Sequence, residues 1–285
     1  MPPLSPGAAA TLACLYEATA RKPGNVYPGA DYDSVTNYAA FVKSATVIGP
    51  IIERAPQVGV GQTVLDAVRA TREAVATNTN LGTLLLIAPL AAVPKDTSLQ
   101  EGLLHVLAAL TPADTRAVYE AILLASAGGL GEAPEADVHS DPPPELTLVD
   151  AMRLAAERDS IARQYTSGFQ DVFHGVARTI EFGLTLNATL EDAIILAYLN
   201  QLAAVPDSLI ARKLGVDAAA EASRRAQAVL AHGSVRNEAF QKSLAEFDRW
   251  LREDGHQRNP GTTADLIAAG LFVLLREGRL NWTQW

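Results

Sequence analysis

Apolar residues recur three and four positions apart through most of the chain, with charges on the remaining face. That is the period of amphipathic helices, and no strand alternation interrupts it. The spacing predicts helices near 7–20, 34–54, 63–76, 81–93, 98–109, 112–127, 148–164, 168–182, 190–204, 207–213, 217–231, 236–253 and 263–277. Five places carry Thr with Asp three residues later: Thr63/Asp66, Thr111/Asp114, Thr147/Asp150, Thr189/Asp192 and Thr262/Asp265. This is capping-box spacing, in which each side chain satisfies an amide left open at a helix start. Pro112 follows Thr111 at the position where helices favour proline.

Composition agrees with that pattern. Of 285 residues, 50 are Ala and 36 are Leu, both strong helix formers. No run reaches the roughly 18 apolar residues of a membrane-spanning helix, and Met1-Pro-Pro-Leu-Ser-Pro lacks the basic flank of a signal peptide. The one cysteine, Cys14, excludes an internal disulfide and a cysteine-built zinc site. With 23 Lys and Arg against 32 Asp and Glu, the net charge of -9 gives no general attraction to nucleic acid or an anionic membrane. The expectation is a cytoplasmic, all-α protein, one domain over residues 1–285, with a Pro-rich surface loop near 133–146.

The interruptions between helices hold the candidate chemistry, since no phosphate-binding P-loop, dinucleotide fingerprint, zinc-protease pair or serine elbow is present. Arg21-Lys22-Pro23-Gly24-Asn25 sets cations beside a stiff turn suited to phosphate, though taken alone it reads better as a basic helix end with a Pro-Gly stop. Asn78-Thr79-Asn80-Leu81-Gly82 opens an apolar helix whose first amides suit an anion or a ribose hydroxyl, or simply supplies caps. Gly128-Gly129-Leu130-Gly131-Glu132 presents amides to phosphate and a carboxylate to magnesium, or stops a helix. Asp207 with Arg212 and Lys213, and Asp265 within Asn259-Pro260-Gly261-Thr262-Thr263-Ala264-Asp265, are a carboxylate–cation set and a second carboxylate, or further caps. The five histidines are scattered without ligand spacing, and Trp250 shares a helix face with Phe240 and Phe247 as core.

In this order, the clusters resemble the triphosphoribosyl-dephospho-CoA synthase family, from about residue 12 to 275. The motifs are Glu17-Ala18 through Lys22-Pro23-Gly24-Asn25-Val26, Phe41-Val42-Lys43-Ser44-Ala45, Asn78-Thr79-Asn80-Leu81-Gly82, Gly128–Glu132, Asp207 to Arg212, and Pro260-Gly261 with Ala264-Asp265-Leu266. The resemblance implies an all-α enzyme in which the ribose 2′-hydroxyl of 3′-dephospho-CoA attacks C1′ of ATP and expels adenine. It implies Lys22, Arg212 and Lys213 as cations for the triphosphate, with Asn25, Asn78, Thr79, Asn80, Gly129 and Gly131 around the nucleotide. Asp33 or Glu132 would be the base, and Asp207 and Asp265 would hold Mg²⁺.

Three departures separate the chain from the decarboxylase-associated members: Asp31-Tyr32-Asp33-Ser34 where a His-Asp-Met pattern is usual, Asn80 where His is common, and Arg212-Lys213-Leu214-Gly215 for His-Arg-Gly-Gly. They suit a divergent archaeal and methylotroph-type branch. Two other readings stand beside the first. One is a same-fold enzyme acting on a phosphorylated substrate in methanofuran- or methanopterin-type one-carbon carrier biosynthesis. The other is a non-catalytic helical binding protein in which every cluster is only a cap. No nucleic acid or membrane partner is expected, and a homodimer is left open.

Overall fold

The computed structural model describes residues 3–75, 77–125, 142–186 and 188–283. Gly129, Gly131 and Glu132, most of the Pro-rich loop, and Trp285 lie outside the described residues. In chain order the α-helices are α1 (Pro6–Thr19), α2 (Tyr38–Ile52), α3 (Ala55–Val58), α4 (Val60–Ala74), α5 (Leu81–Ala91), α6 (Leu99–Ala108), α7 (Pro112–Leu124), α8 (Leu148–Ala155), α9 (Ser160–Ser167), α10 (Arg178–Thr185), α11 (Leu190–Ala204), α12 (Ser208–Leu214), α13 (Val216–Leu230), α14 (Glu238–Arg252) and α15 (Gly261–Arg276). A π-helical segment, Asp171–Ala177, leads into α10. Among the described residues the only β-type pairing is one isolated bridge, Tyr27 with Ala30, so the all-α expectation holds.

The core is built around α15. Its sequence is apolar on every side and fourteen of its sixteen residues are buried, which requires neighbours all round. The most extensive are α1, α5, α11 and the π-helical segment, with α9 and α12 also in contact. Close approach depends on small residues. A Cβ on Gly270 would stand 2.4 Å from Val176 Cγ1, and one on Gly7 of α1 would stand 2.4 Å from the Gly49 carbonyl of α2. No single helix is long and apolar enough to cross a membrane among the described residues.

Three of the five expected capping boxes open helices: Thr111 at α7, Thr147 at α8 and Thr189 at α11. The other two pairs do not. Gly59, at φ 87°, starts α4 earlier, so Thr63 lies inside it and its hydroxyl donates back to the Gly59 carbonyl at 2.6 Å. Thr262 and Asp265 both lie inside α15, where Asp265 faces another helix. The helix expected over 148–164 is two, because Asp159 leaves the helical path and its Oδ1 accepts the amides of Ile161 and Ala162. That break creates one wall of the site.

Candidate functional site

A cleft of about 1480 Å³ opens between the N-terminal ends of α5, α9, α12 and α15 and the loops after α1 and α14, with α7 and α8 along one side. It is larger than the ~300–1,000 Å³ common for one small-molecule ligand. Of the residues singled out in the sequence, Asn25, Asp33, Asn78, Thr79, Asn80, Arg212, Lys213 and Asp265 line it. Lys22 and Asp207 do not.

Lys22 is wholly buried. Its Nζ lies 3.0 Å from Glu17 Oε1 and donates to the Ala20 carbonyl at 3.2 Å and to the Glu17 carbonyl. Each ammonium proton therefore has an acceptor inside the protein. Glu17, only 8% exposed, lines the cleft, so the lysine acts on the site through the carboxylate it holds. The turn that buries Lys22 needs Gly24. At φ 75°, a Cβ there would stand 2.8 Å from Leu251 Cδ1, while the Gly24 amide donates to Asp248 Oδ1 at 2.7 Å. Asn25 Nδ2 donates to the Tyr198 hydroxyl at 2.6 Å, and that hydroxyl donates to the Pro23 carbonyl at 2.9 Å.

Asp207 is 2% exposed and its oxygens have four donors. Oδ1 accepts the amides of Leu209 (2.9 Å) and Ile210 (3.1 Å), and Oδ2 accepts the amide and hydroxyl of Thr263, both at 2.7 Å. It caps α12 and ties that helix to the first turn of α15. Burial nevertheless pushes its carboxyl above the usual range, against those hydrogen bonds. Beside it, Ser208 Oγ accepts the Ser160 amide and donates to Thr262 Oγ1, joining α9, α12 and α15 at the wall of the cleft.

Asp265 does face the cleft. Its Oδ1 accepts the Thr83 hydroxyl at 2.6 Å in the first turn of α5. Gly82 leaves the space for it, since a Cβ there would stand 2.1 Å from Asp265 Oδ2. Burial, with Glu17 and Asp207 nearby, pushes the Asp265 carboxyl up to about 8. Asn78 Oδ1 accepts the amides of Asn80 and Leu81 and so caps α5. Asn80 Nδ2 donates to Thr71 Oγ1, and the Thr79 hydroxyl pairs with that of Ser44 at 2.6 Å. That last bond brings the Phe41–Ala45 and Asn78–Gly82 motifs together.

At the rim, Asp33 is exposed, and its Oδ1 accepts the amides of Val35 and Thr36 at 2.7 and 2.6 Å. These bonds hold its carboxyl below the ordinary value and weaken it as a base. Arg212 pairs with Asp159 at 2.9 Å, and burial beside Arg212 lowers the Lys213 ammonium. His256, one of the histidines set aside as scattered, also lines the cleft, as do Arg158, Arg163 and Ser160, which the sequence pattern does not single out. Asp159 ahead of Ser-Ile-Ala was their available signal, an N-cap that places its flanking arginines at a helix start.

Among the described residues no group of three His, Cys, Asp or Glu side chains is placed to hold a metal alone. Mg²⁺ needs less, because one or two carboxylates and substrate phosphates complete its shell. Glu17 and Asp265, the inner carboxylates lining the cleft, fit that demand. Asp207 does not, with four donors on its two oxygens.

Residues 3–284 match the family model described as CitG, ATP:dephospho-CoA triphosphoribosyl transferase. A comparison with curated proteins gives no match. A solved structure from Archaeoglobus fulgidus, provisionally designated a triphosphoribosyl-dephospho-CoA synthase, is similar at 26% identity and a TM-score of 0.63, over 82% of this chain and 98% of that one.

Proposed function

This chain belongs to the ATP:dephospho-CoA triphosphoribosyl transferase family, and we propose that its cleft is where the ribose 2′-hydroxyl of 3′-dephospho-CoA displaces adenine from C1′ of ATP. The new bond is 2′-O to C1′. The bond broken is C1′ to N9, whose electron pair leaves with adenine, and the hydroxyl proton passes to a carboxylate. The observation that carries the reading is one cleft lined from several of the family's separate motifs, at Glu17 to Asn25, Asn78 to Gly82, Arg212 and Asp265. Its volume suits two substrates, and the apolar wall of Val118, Ile122, Leu148 and Met152 suits the aliphatic arm of dephospho-CoA.

Glu17 is the carboxylate assigned here to the sugar. Displacement at an anomeric carbon builds positive charge on the ring, which a fixed carboxylate stabilises while it takes the attacking hydroxyl's proton. Lys22 keeps that carboxylate in place. Arg158, Arg212 and Lys213 serve the phosphates. Asp265 would hold Mg²⁺, which would neutralise phosphate charge. Asp33, carrying two backbone amides, is left to shape its loop. Glu132, the other base expected from the sequence, is outside the described residues. Neither comparison points to a one-carbon carrier cofactor or a non-catalytic role.

The test is free adenine, followed by chromatography, from ATP, Mg²⁺ and 3′-dephospho-CoA. Wild type releases it, and Glu17→Gln, nearly equal in shape though a weaker partner for Lys22, slows release about a hundredfold or more in a chain that still binds ATP. No adenine from wild type overturns the reaction. Full activity in Glu17→Gln overturns the residue assignment.

A further inference from the structure

The loop between α14 and α15 carries three features that the reading above does not use. His256 takes φ 63°, in the left-handed region that disfavours side chains with a Cβ. Among the described residues the other such non-glycine is Phe169, whose buried ring stacks near Tyr165 at 5.6 Å, so core packing accounts for it. The imidazole of His256 lies 4.6 Å from the ring of Tyr32, within electrostatic reach of Arg252, Asp33 and Asp248, and its Nδ1 is buried without a hydrogen-bond partner. Three residues on, Asn259 Oδ1 is buried without a partner as well. The other buried side-chain polar atoms lacking partners among the described residues belong to Arg276 and Trp282, at the far end of α15 and beyond it. His256 and Asn259 both line the cleft.

A strained residue and two orphaned polar atoms on one short turn indicate a group that arrives with a ligand. The turn is held for that purpose. The Asn259 amide donates to the His256 carbonyl at 3.2 Å, and Tyr32 is fixed through its hydroxyl bond to the Gly24 carbonyl at 3.0 Å. A side-chain amide offers one acceptor and one donor in a plane. An adenine edge that matches it is the 6-amino group with N7.

We propose that the turn His256–Asn259 reads adenine, the Asn259 amide pairing with the 6-amino group and N7 while His256 and Tyr32 flank the ring. The proposal rests on the transferase reading, in which both substrates carry adenine, and the experiment separates the two sources. Binding of ATP and of 3′-dephospho-CoA to the full chain is measured by calorimetry, and adenine release from ATP is compared with hypoxanthine release from ITP, whose 6-oxo group cannot donate. Asn259→Ala weakens one nucleotide about tenfold, the scale of a lost base-edge pair. If the turn reads the donor, the ATP-over-ITP preference falls by the same factor. If it reads the acceptor, dephospho-CoA binding weakens and that preference holds.

His256→Gly weakens the same nucleotide while raising Tm, because glycine accepts a positive φ without strain. A purely structural histidine would not combine those changes. Asn259→Asp, nearly isosteric, guards against misfolding in the alanine variant and loses the donor to N7. Nucleotide binding within twofold of wild type in Asn259→Ala and Asn259→Asp overturns the proposal. A wild-type chain that binds adenine nucleotides in this Asn259-dependent way yet releases no adenine keeps the proposal and removes the transferase reading. A wild-type chain that binds neither nucleotide overturns both.

Discussion

The floor and the rim of the cleft use their charges differently. On the floor and just behind it, Glu17 is fixed by a wholly buried lysine, Asp207 by four donors and Asp265 by Thr83 across a glycine gap. At the rim, Asp33 folds back on its own loop and Arg212 makes one ion pair. A charge on the floor is part of the packing, so its removal disturbs the fold. A charge at the rim is screened by solvent, so its removal is felt mainly by a ligand.

The sharpest way to break that contrast is Asp207→Ala. It leaves four donors unanswered where α12 meets α15, and unfolding free energy should fall by about 3 kcal/mol or more, read from the urea midpoint. A loss below about 1 kcal/mol would mean the floor is no more integral than the rim. The next effect is one of pH. Asp265 is pushed up to about 8 from an unfolded value near 4, so between those values the folded state binds more protons than the unfolded one. Without metal or nucleotide, stability should therefore fall as pH rises from 4 to 8, and Asp265→Asn should flatten that slope. A Tm profile unchanged by Asp265→Asn would dissociate the carboxyl from the slope. The smallest structural effect belongs to the rim. Arg212→Ala should raise KM for ATP about three- to tenfold, increasingly at low salt, and change stability by less than about 1 kcal/mol. A larger loss of stability than of affinity would place Arg212 with the floor.

Sequence pattern made the floor's framework legible and left its orientation hidden. Helical spacing through 263–277 declares a helix, and Thr111 with Pro112 and Asp114 declares a helix start; both helices form, though the first is buried on every side. Lys22 is the opposite case. A cation beside Pro-Gly reads as a phosphate ligand, and only the path of the turn, set by Gly24 against Leu251, shows that the ammonium points inward. The walls at α8 and α9 were hidden for another reason. Apolar spacing runs unbroken through 148–164, and one side-chain cap, Asp159, overrides it. Periodicity reports which face is buried. It is silent on which partner a buried charge will choose, because that choice is made by residues far away in the chain.

The enclosure of α15 also bears on time. A helix packed on all sides has no direction in which to slide, and its amides are covered by α1, α5, α11 and the π-helical segment. Hydrogen exchange along it should wait for global unfolding, hours behind the amides of 31–37 and 253–258. Whatever opens and closes around the substrates during a turnover must then come from those rim loops, while Asp265 stays fixed as the reference against which they move.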